Sequence, residues 1–122
     1  MDERAFFRAV VGQDETALRA FFHPAARIFW PCTNERFSVE EYLRANCEYP
    51  GRWDGELERV EWAGDVTILA GRIFGGERVS VHVVSFLKIA DGRIAEMTEY
   101  FGGDGPAPEW RREMRIGTKI RE

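Results

Sequence analysis

The stretch VSVHVVSFLKIADGRIAEMTEYF, Val79 to Phe101, decides the fold. Two apolar runs flank Asp91-Gly92. Asp-Gly in that setting signals a two-residue hairpin turn, because both central residues of the tight turn need positive φ. With Asp91-Gly92 as the loop, Ala90 pairs with Arg93, Ile89 with Ile94, Phe86 with Met97, Val84 with Glu99 and His82 with Phe101. Side chains alternate faces along a strand. One face then gathers Ser80, His82, Val84, Phe86, Ala95, Met97, Glu99 and Phe101. The other carries Val79, Val81, Val83, Ser85, Leu87, Ile94, Glu96, Thr98 and Tyr100.

Upstream lie two more runs of the same kind, Glu56–Trp62 and Val66–Phe74, separated by Ala63-Gly64-Asp65 and followed by Gly75-Gly76. Successive hairpins make an antiparallel meander. A Gly75-Gly76 loop puts Thr67, Leu69 and Gly71 on the face of His82, and a Gly64-Asp65 turn adds Val60 and Trp62. Both faces hold apolar residues, whereas a sheet covered on one side alternates cleanly. One face therefore packs on helices. The row Val79, Val81, Val83 and Leu87, with Ile94 and Tyr100, predicts a second subunit on the other, forming a homodimer through the outer sheet face.

The helices come first. Phe6, Phe7, Val10 and Val11 fall at helical spacing within Glu3–Val11, and Gly12 ends that helix. Asp14 caps a short second helix carrying Leu18, Phe21 and Phe22, which His23-Pro24 stops. Ala25–Trp30 reads as a short strand and Pro31–Phe37 as a loop. Ser38-Val39-Glu40-Glu41 is a capping box that starts a helix running to about Glu48. After Phe101, Pro106 and Pro108 open a tail, residues 106–122, expected to pack back through Trp110 and Ile116.

The fold class is thus α+β: N-terminal helices on a curved, mostly antiparallel sheet, in one domain spanning 1–122. Net charge is −4, which argues against nucleic acid and anionic membranes as partners, since both need a basic patch. No apolar run approaches the roughly 18 residues of a membrane span and no signal-peptide pattern is present, so a cytoplasmic location is expected. Cys32 and Cys47 match no metal-ligand spacing and read as free thiols; with two His in the chain, no metal or cofactor is expected.

Several stretches resemble the nuclear-transport-factor-2-like superfamily, in particular its small SnoaL-like (polyketide cyclase-like) members. They are Trp30-Pro31-Cys32-Thr33-Asn34-Glu35-Arg36-Phe37, the capped helix ending Asn46-Cys47-Glu48-Tyr49-Pro50, and Asp91-Gly92-Arg93-Ile94 followed by Glu99-Tyr100-Phe101. The resemblance implies a cystatin-like cone whose sheet curls around the long helix and leaves a pocket. It also implies a small hydrophobic molecule as partner and, in enzymes of the superfamily, a carboxylate on the last strands acting as base or acid. Glu99 matches that position, as Glu where Asp is usual.

Glu99 and His82, diagonal neighbours in the expected register, read as a general base and its imidazole partner, or as a satisfied buried pair. The pocket is expected to be lined by Trp30, Tyr42, Leu43, Trp62, Leu69, Val84, Phe86 and Met97, with Asn34 at its mouth. The same aromatics also serve an ordinary core, and Asn34 an ordinary turn. Three functions stay open: a cofactor-free isomerase, cyclase, dehydratase or hydrolase acting on a hydrophobic substrate; a ligand-binding protein without turnover; and a dimeric scaffold.

Overall fold

The structure is a computed structural model, and it describes residues 1–76 and 79–121. Helices α1 (Glu3–Val11) and α2 (Glu15–Arg19) lead into strand β1 (Phe22–Trp30), a single 3-10 turn (Pro31–Thr33), strand β2 (Glu35–Ser38) and helix α3 (Val39–Cys47). The meander β3 (Trp53–Ala63), β4 (Val66–Gly75), β5 (Val79–Ala90), β6 (Arg93–Gly103) follows, and a short helix α4 (Glu109–Glu113) lies in the tail. The six strands order as β2-β1-β6-β5-β4-β3. Every pairing is antiparallel except β1 with β6.

Local chemistry accounts for most boundaries. Asp2 and Asp14 accept the amides of Ala5 and Ala17 at the starts of α1 and α2. The capping box at α3 is complete: Ser38 Oγ accepts from the Glu41 amide and Glu41 accepts from the Ser38 amide. Two expectations shift here. The second helix stops at Arg19, and Phe22 already pairs with Ile94 at the start of β1. The expected loop before Ser38 contains a strand, because residues 35–38 pair with β1.

The Asp91-Gly92 turn forms as expected, with φ of 53° and 75° and the pairs Ala90–Arg93 and Ile89–Ile94. Beyond it the register departs from expectation. Lys88 pairs with Glu96, so Ala95 is an extra residue on β6 and every later pair shifts by one. Glu99 consequently faces Ser85 rather than Val84. A one-residue slip exchanges the two faces of β5. His82, Val84 and Phe86 lie on the outer face, and Val79, Val81, Val83, Ser85 and Leu87 on the inner one.

A second departure occurs between β4 and β5. Gly75 sits inside the ladder opposite Val79, so Leu69 pairs with Ser85; a Gly75-Gly76 loop would have put it against His82. Gly75 has φ of 141°, and a Cβ there would stand 2.4 Å from the Arg52 carbonyl oxygen, which accepts from the Gly76 amide. Both slips are odd, so they cancel between β4 and β6. Thr67, Leu69 and Gly71 share a face with Met97, Glu99 and Phe101 as expected, and Val60 and Trp62 pair with Leu69 and Thr67 as expected.

The helices cover the inner face. Phe6, Leu18, Phe22, Ile28, Tyr42, Leu43, Leu87, Ile94 and Met97 form one buried cluster; each such side chain contributes about 1.5–3 kcal/mol. α1 seats on the sheet because Gly71 has no side chain: a Cβ there would come within 2.8 Å of the Phe7 ring. The apolar row proposed for the dimer is therefore inside the cone, with Val83, Leu87 and Ile94 buried; only Tyr100 of that set faces out. In the tail, Trp110 stays 63% exposed and Ile116 59%, so neither makes the expected packing on its own domain. No helix among the described residues is long and apolar enough to cross a membrane.

Candidate functional site

Between α1, the C-terminal half of α3 and the inner sheet face lies a cavity of about 350 Å³. Phe6, Phe7, Val10 and Val11 of α1 form one wall; Leu69, Gly71 and Ile73 of β4 and Val79, Val81 and Val83 of β5 form the other. Its exposed members, Cys32, Thr33, Tyr49 and Val79, mark the opening. At that rim the Gln13 side-chain amide donates to the carbonyls of Asn46 (2.9 Å) and Tyr49 (2.6 Å), and Asn46 Nδ2 donates to Val10 O (3.1 Å). These bonds tie the ends of α1 and α3 together and hold the mouth in one shape.

Glu99 is the acid of this cavity, and it is 5% exposed. Its Oε2 accepts from Ser85 Oγ at 2.6 Å, across the β5–β6 pair, and its Oε1 accepts from Trp30 Nε1 at 3.1 Å. Ring contacts hold the Trp30 indole in place, edge-on to Phe37 (4.7 Å), Phe101 (5.3 Å) and Tyr42 (6.3 Å between centroids). Burial pushes the Glu99 carboxyl above the ordinary glutamate value, and the bonds from Ser85 and Trp30 only partly restrain the rise. Two fixed donors and a dry wall thus prepare one carboxyl group to hold or release a proton.

Tyr42 supplies a second buried polar group near it. Its hydroxyl has no hydrogen-bond partner in the structure. Burial first, and the Glu99 charge second, push its pKa well up, so the phenol keeps its proton. Among the described residues no group of three or more His, Cys, Asp or Glu is placed to hold a metal ion.

Of the residues singled out in the sequence, Glu99, Trp30 and Leu69 line the cavity. Tyr42, Leu43 and Met97 are buried in the core beneath it. His82 is on the outer face, with Nε2 3.4 Å from Asp104 and Nδ1 3.9 Å from Glu58, so it cannot orient Glu99. Val84 and Phe86 share that outer face by the same slip. Trp62 is on the inner side of β3 but at its exposed end, 66% accessible, where Nε1 donates to Glu3 (3.3 Å). Asn34 is the exposed left-handed residue that closes the 3-10 turn (φ 56°), which is its turn chemistry and not a pocket contact. The sequence reading missed Ser85, whose signal was a lone hydroxyl between Val83 and Leu87 on an otherwise apolar face. It also missed the lining role of α1.

The chain belongs to the SnoaL-like domain family. The model of that family matches residues 4–97. A crystal structure of a candidate ketosteroid isomerase from Kribbella flavida superposes with a TM-score of 0.79 at 26% identity, covering 98% of this chain and 88% of that one. A nuclear-transport-factor-2-like protein of unknown function from Burkholderia xenovorans gives 0.78 at 21% identity, covering 96% and 92%. An epoxide hydrolase from Mycobacterium tuberculosis, similar to limonene epoxide hydrolase, gives 0.67 at 17% identity, covering 82% and 79%. At 21% and 17% identity the last two show the fold alone. No curated protein matches the chain.

Proposed function

We propose that this SnoaL-like domain is an enzyme that moves a proton on a small hydrophobic molecule, with Glu99 as the group that takes and returns it. One observation carries the reading: a carboxyl group with a raised pKa stands in the wall of an otherwise apolar cavity, oriented by two fixed donors, Ser85 and Trp30. A general base works best when its pKa approaches the working pH, and burial moves glutamate that way. Apolar walls exclude water and strengthen the charge of the ionised form on its substrate. A purely structural carboxyl would gain nothing from facing a ligand-sized space. The likeness to a candidate ketosteroid isomerase supports proton transfer next to a carbonyl as the first chemistry to try.

The test uses 2-tetralone, a compact apolar ketone with acidic C–H groups beside its carbonyl. In deuterated water, Glu99 removes a proton from that carbon, the enolate forms, and deuterium returns to the same carbon, so NMR reads exchange without net reaction. Wild-type protein is expected to accelerate exchange, and Glu99→Gln, which keeps shape and hydrogen bonding, to abolish the acceleration. Equal rates for the two proteins with the ketone bound would overturn the base role and leave a binding protein.

A further inference from the structure

The two side-chain donors that reach the acid of the cavity are both engaged by it. Ser85 Oγ donates to Glu99 Oε2 and Trp30 Nε1 to Oε1, so both oxygens already act as acceptors. A carboxylate offers roughly four lone-pair sites, so each oxygen keeps one open. The other polar side chains in the wall are bound elsewhere. Gln13 donates to the carbonyls of Asn46 and Tyr49, Asn46 to that of Val10, Thr33 to that of Trp30 (3.4 Å) and Cys32 to that of Phe101 (3.6 Å). Trp53 Nε1 has no partner and is buried among protein atoms. Tyr49 stands at the exposed opening. Among the described residues, the Glu99 end of the cavity therefore accepts hydrogen bonds from a ligand and offers it no free side-chain donor.

The same end holds a charge without a counter-charge. Among the described residues lining the cavity there is one carboxyl group, Glu99, and no Arg, Lys or His. An unpaired buried charge is costly, and a ligand of opposite sign removes that cost. Rings of Phe6, Phe7, Trp30, Trp53 and Phe101 line the space beside it. The face of an aromatic ring attracts a cation, most strongly where water is excluded. A neutral ketone fits these groups less well. Taking a proton from beside its carbonyl builds negative charge on oxygen, which calls for fixed donors, and here the donors are turned on the base.

We infer that the hydrophobic molecule acted on at this site is a cation whose positive charge sits on nitrogen, as in an iminium ion, a ligand class that rests on the reading of Glu99 as the proton-transfer group. Ionised Glu99 takes a proton from the carbon beside C=N⁺. The C–H electron pair becomes a C=C bond, and the C=N π pair moves onto nitrogen. The products are a neutral enamine and a neutral carboxylic acid, so two opposite charges cancel and no new buried anion forms. The reverse step returns the proton to carbon. Neither the iminium nor the enamine nitrogen needs a donor from the wall, in keeping with what the wall offers.

The probe is 1,2-dimethyl-3,4-dihydroisoquinolinium, a permanent cation close in size to 2-tetralone, with exchangeable C–H groups on the methyl beside C=N⁺. Calorimetry on the full chain reads its Kd, and NMR in deuterated water reads its exchange. Wild-type protein is expected to bind the cation about tenfold or more tighter than 2-tetralone, and to accelerate its exchange over buffer by the larger factor. Glu99→Gln is expected to weaken the cation by about thirtyfold or more and the ketone by less than about threefold. Should that variant fail to fold, the wild-type preference decides alone. A cation that binds no tighter than the ketone, or equally to both proteins, overturns the inference; ketone exchange that is still accelerated then leaves the base role standing without it. Glu99-dependent binding of the cation with no exchange of either probe overturns the base role instead, and leaves a pocket for hydrophobic cations.

Discussion

Ser85→Ala isolates the support of the buried carboxyl. The substitution removes a 2.6 Å donor from Glu99 and leaves the rest of the site in place, because the lost hydroxyl borders an existing cavity. A hydrogen bond to a charged group contributes about 1.5–3 kcal/mol and one to a neutral group about 0.5–1.5 kcal/mol. The cost therefore depends on whether Glu99 is ionised. Its folded pKa lies above the unfolded glutamate value of about 4.5 because of burial, so its stabilising contribution is complete below that pH and is lost as pH rises through the folded pKa. Without Ser85 the folded pKa moves further up, and the loss extends to higher pH. Urea unfolding followed by tryptophan fluorescence should give a small ΔΔG below about pH 4.5. That difference should grow by about 1 kcal/mol and level off once both proteins are ionised. A ΔΔG that stays constant with pH, or shrinks as pH rises, would refute the account of Glu99 as a buried carboxyl held by Ser85.

Three further outcomes follow from the same geometry. Tyr42→Phe removes a hydroxyl with no partner and should stabilise the chain by about 1 kcal/mol in the same unfolding assay; a loss of that size would mean the hydroxyl is satisfied. Gly71→Ala drives a methyl to 2.8 Å from the Phe7 ring and 2.9 Å from the Glu56 carbonyl, and should cost about 1–3 kcal/mol with a smaller cavity. A neutral result would show that α1 can shift. His82→Ala should leave ketone exchange and the Glu99 titration unchanged, since His82 sits on the outer face with Asp104; a shifted titration would contradict the observed register.

Much of this was legible in the sequence, and the errors have a physical pattern. Asp91-Gly92 dictated its turn because few residues accept two successive positive φ values. The capping box at Ser38 and the succession of strands after Trp53 were equally explicit. Ala95 carried no mark of a bulge: a small residue inside a strand fits a regular ladder as well as an irregular one. Gly75 misled in the other direction, since a glycine pair reads as a loop until the nearby Arg52 carbonyl shows why one of the pair must lack a Cβ while still in the strand. Both slips inverted β5, which took His82, Val84 and Phe86 out of the cavity and put Ser85 and Val83 in. Strands β4 and β6 kept their relation, so Glu99, Leu69 and Met97 stayed on the inner face. The apolar row taken for a dimer surface was the inner lining for the same reason.

The central claim is that Glu99 is a buried carboxyl poised to exchange a proton with a ligand in the cavity. Titration of its side-chain carbon by NMR, assigned by loss of the signal in Glu99→Gln, tests that claim most directly. The account predicts a midpoint above the ordinary glutamate value, displaced by saturating 2-tetralone. A midpoint at or below that value, unmoved by the ketone, would contradict it.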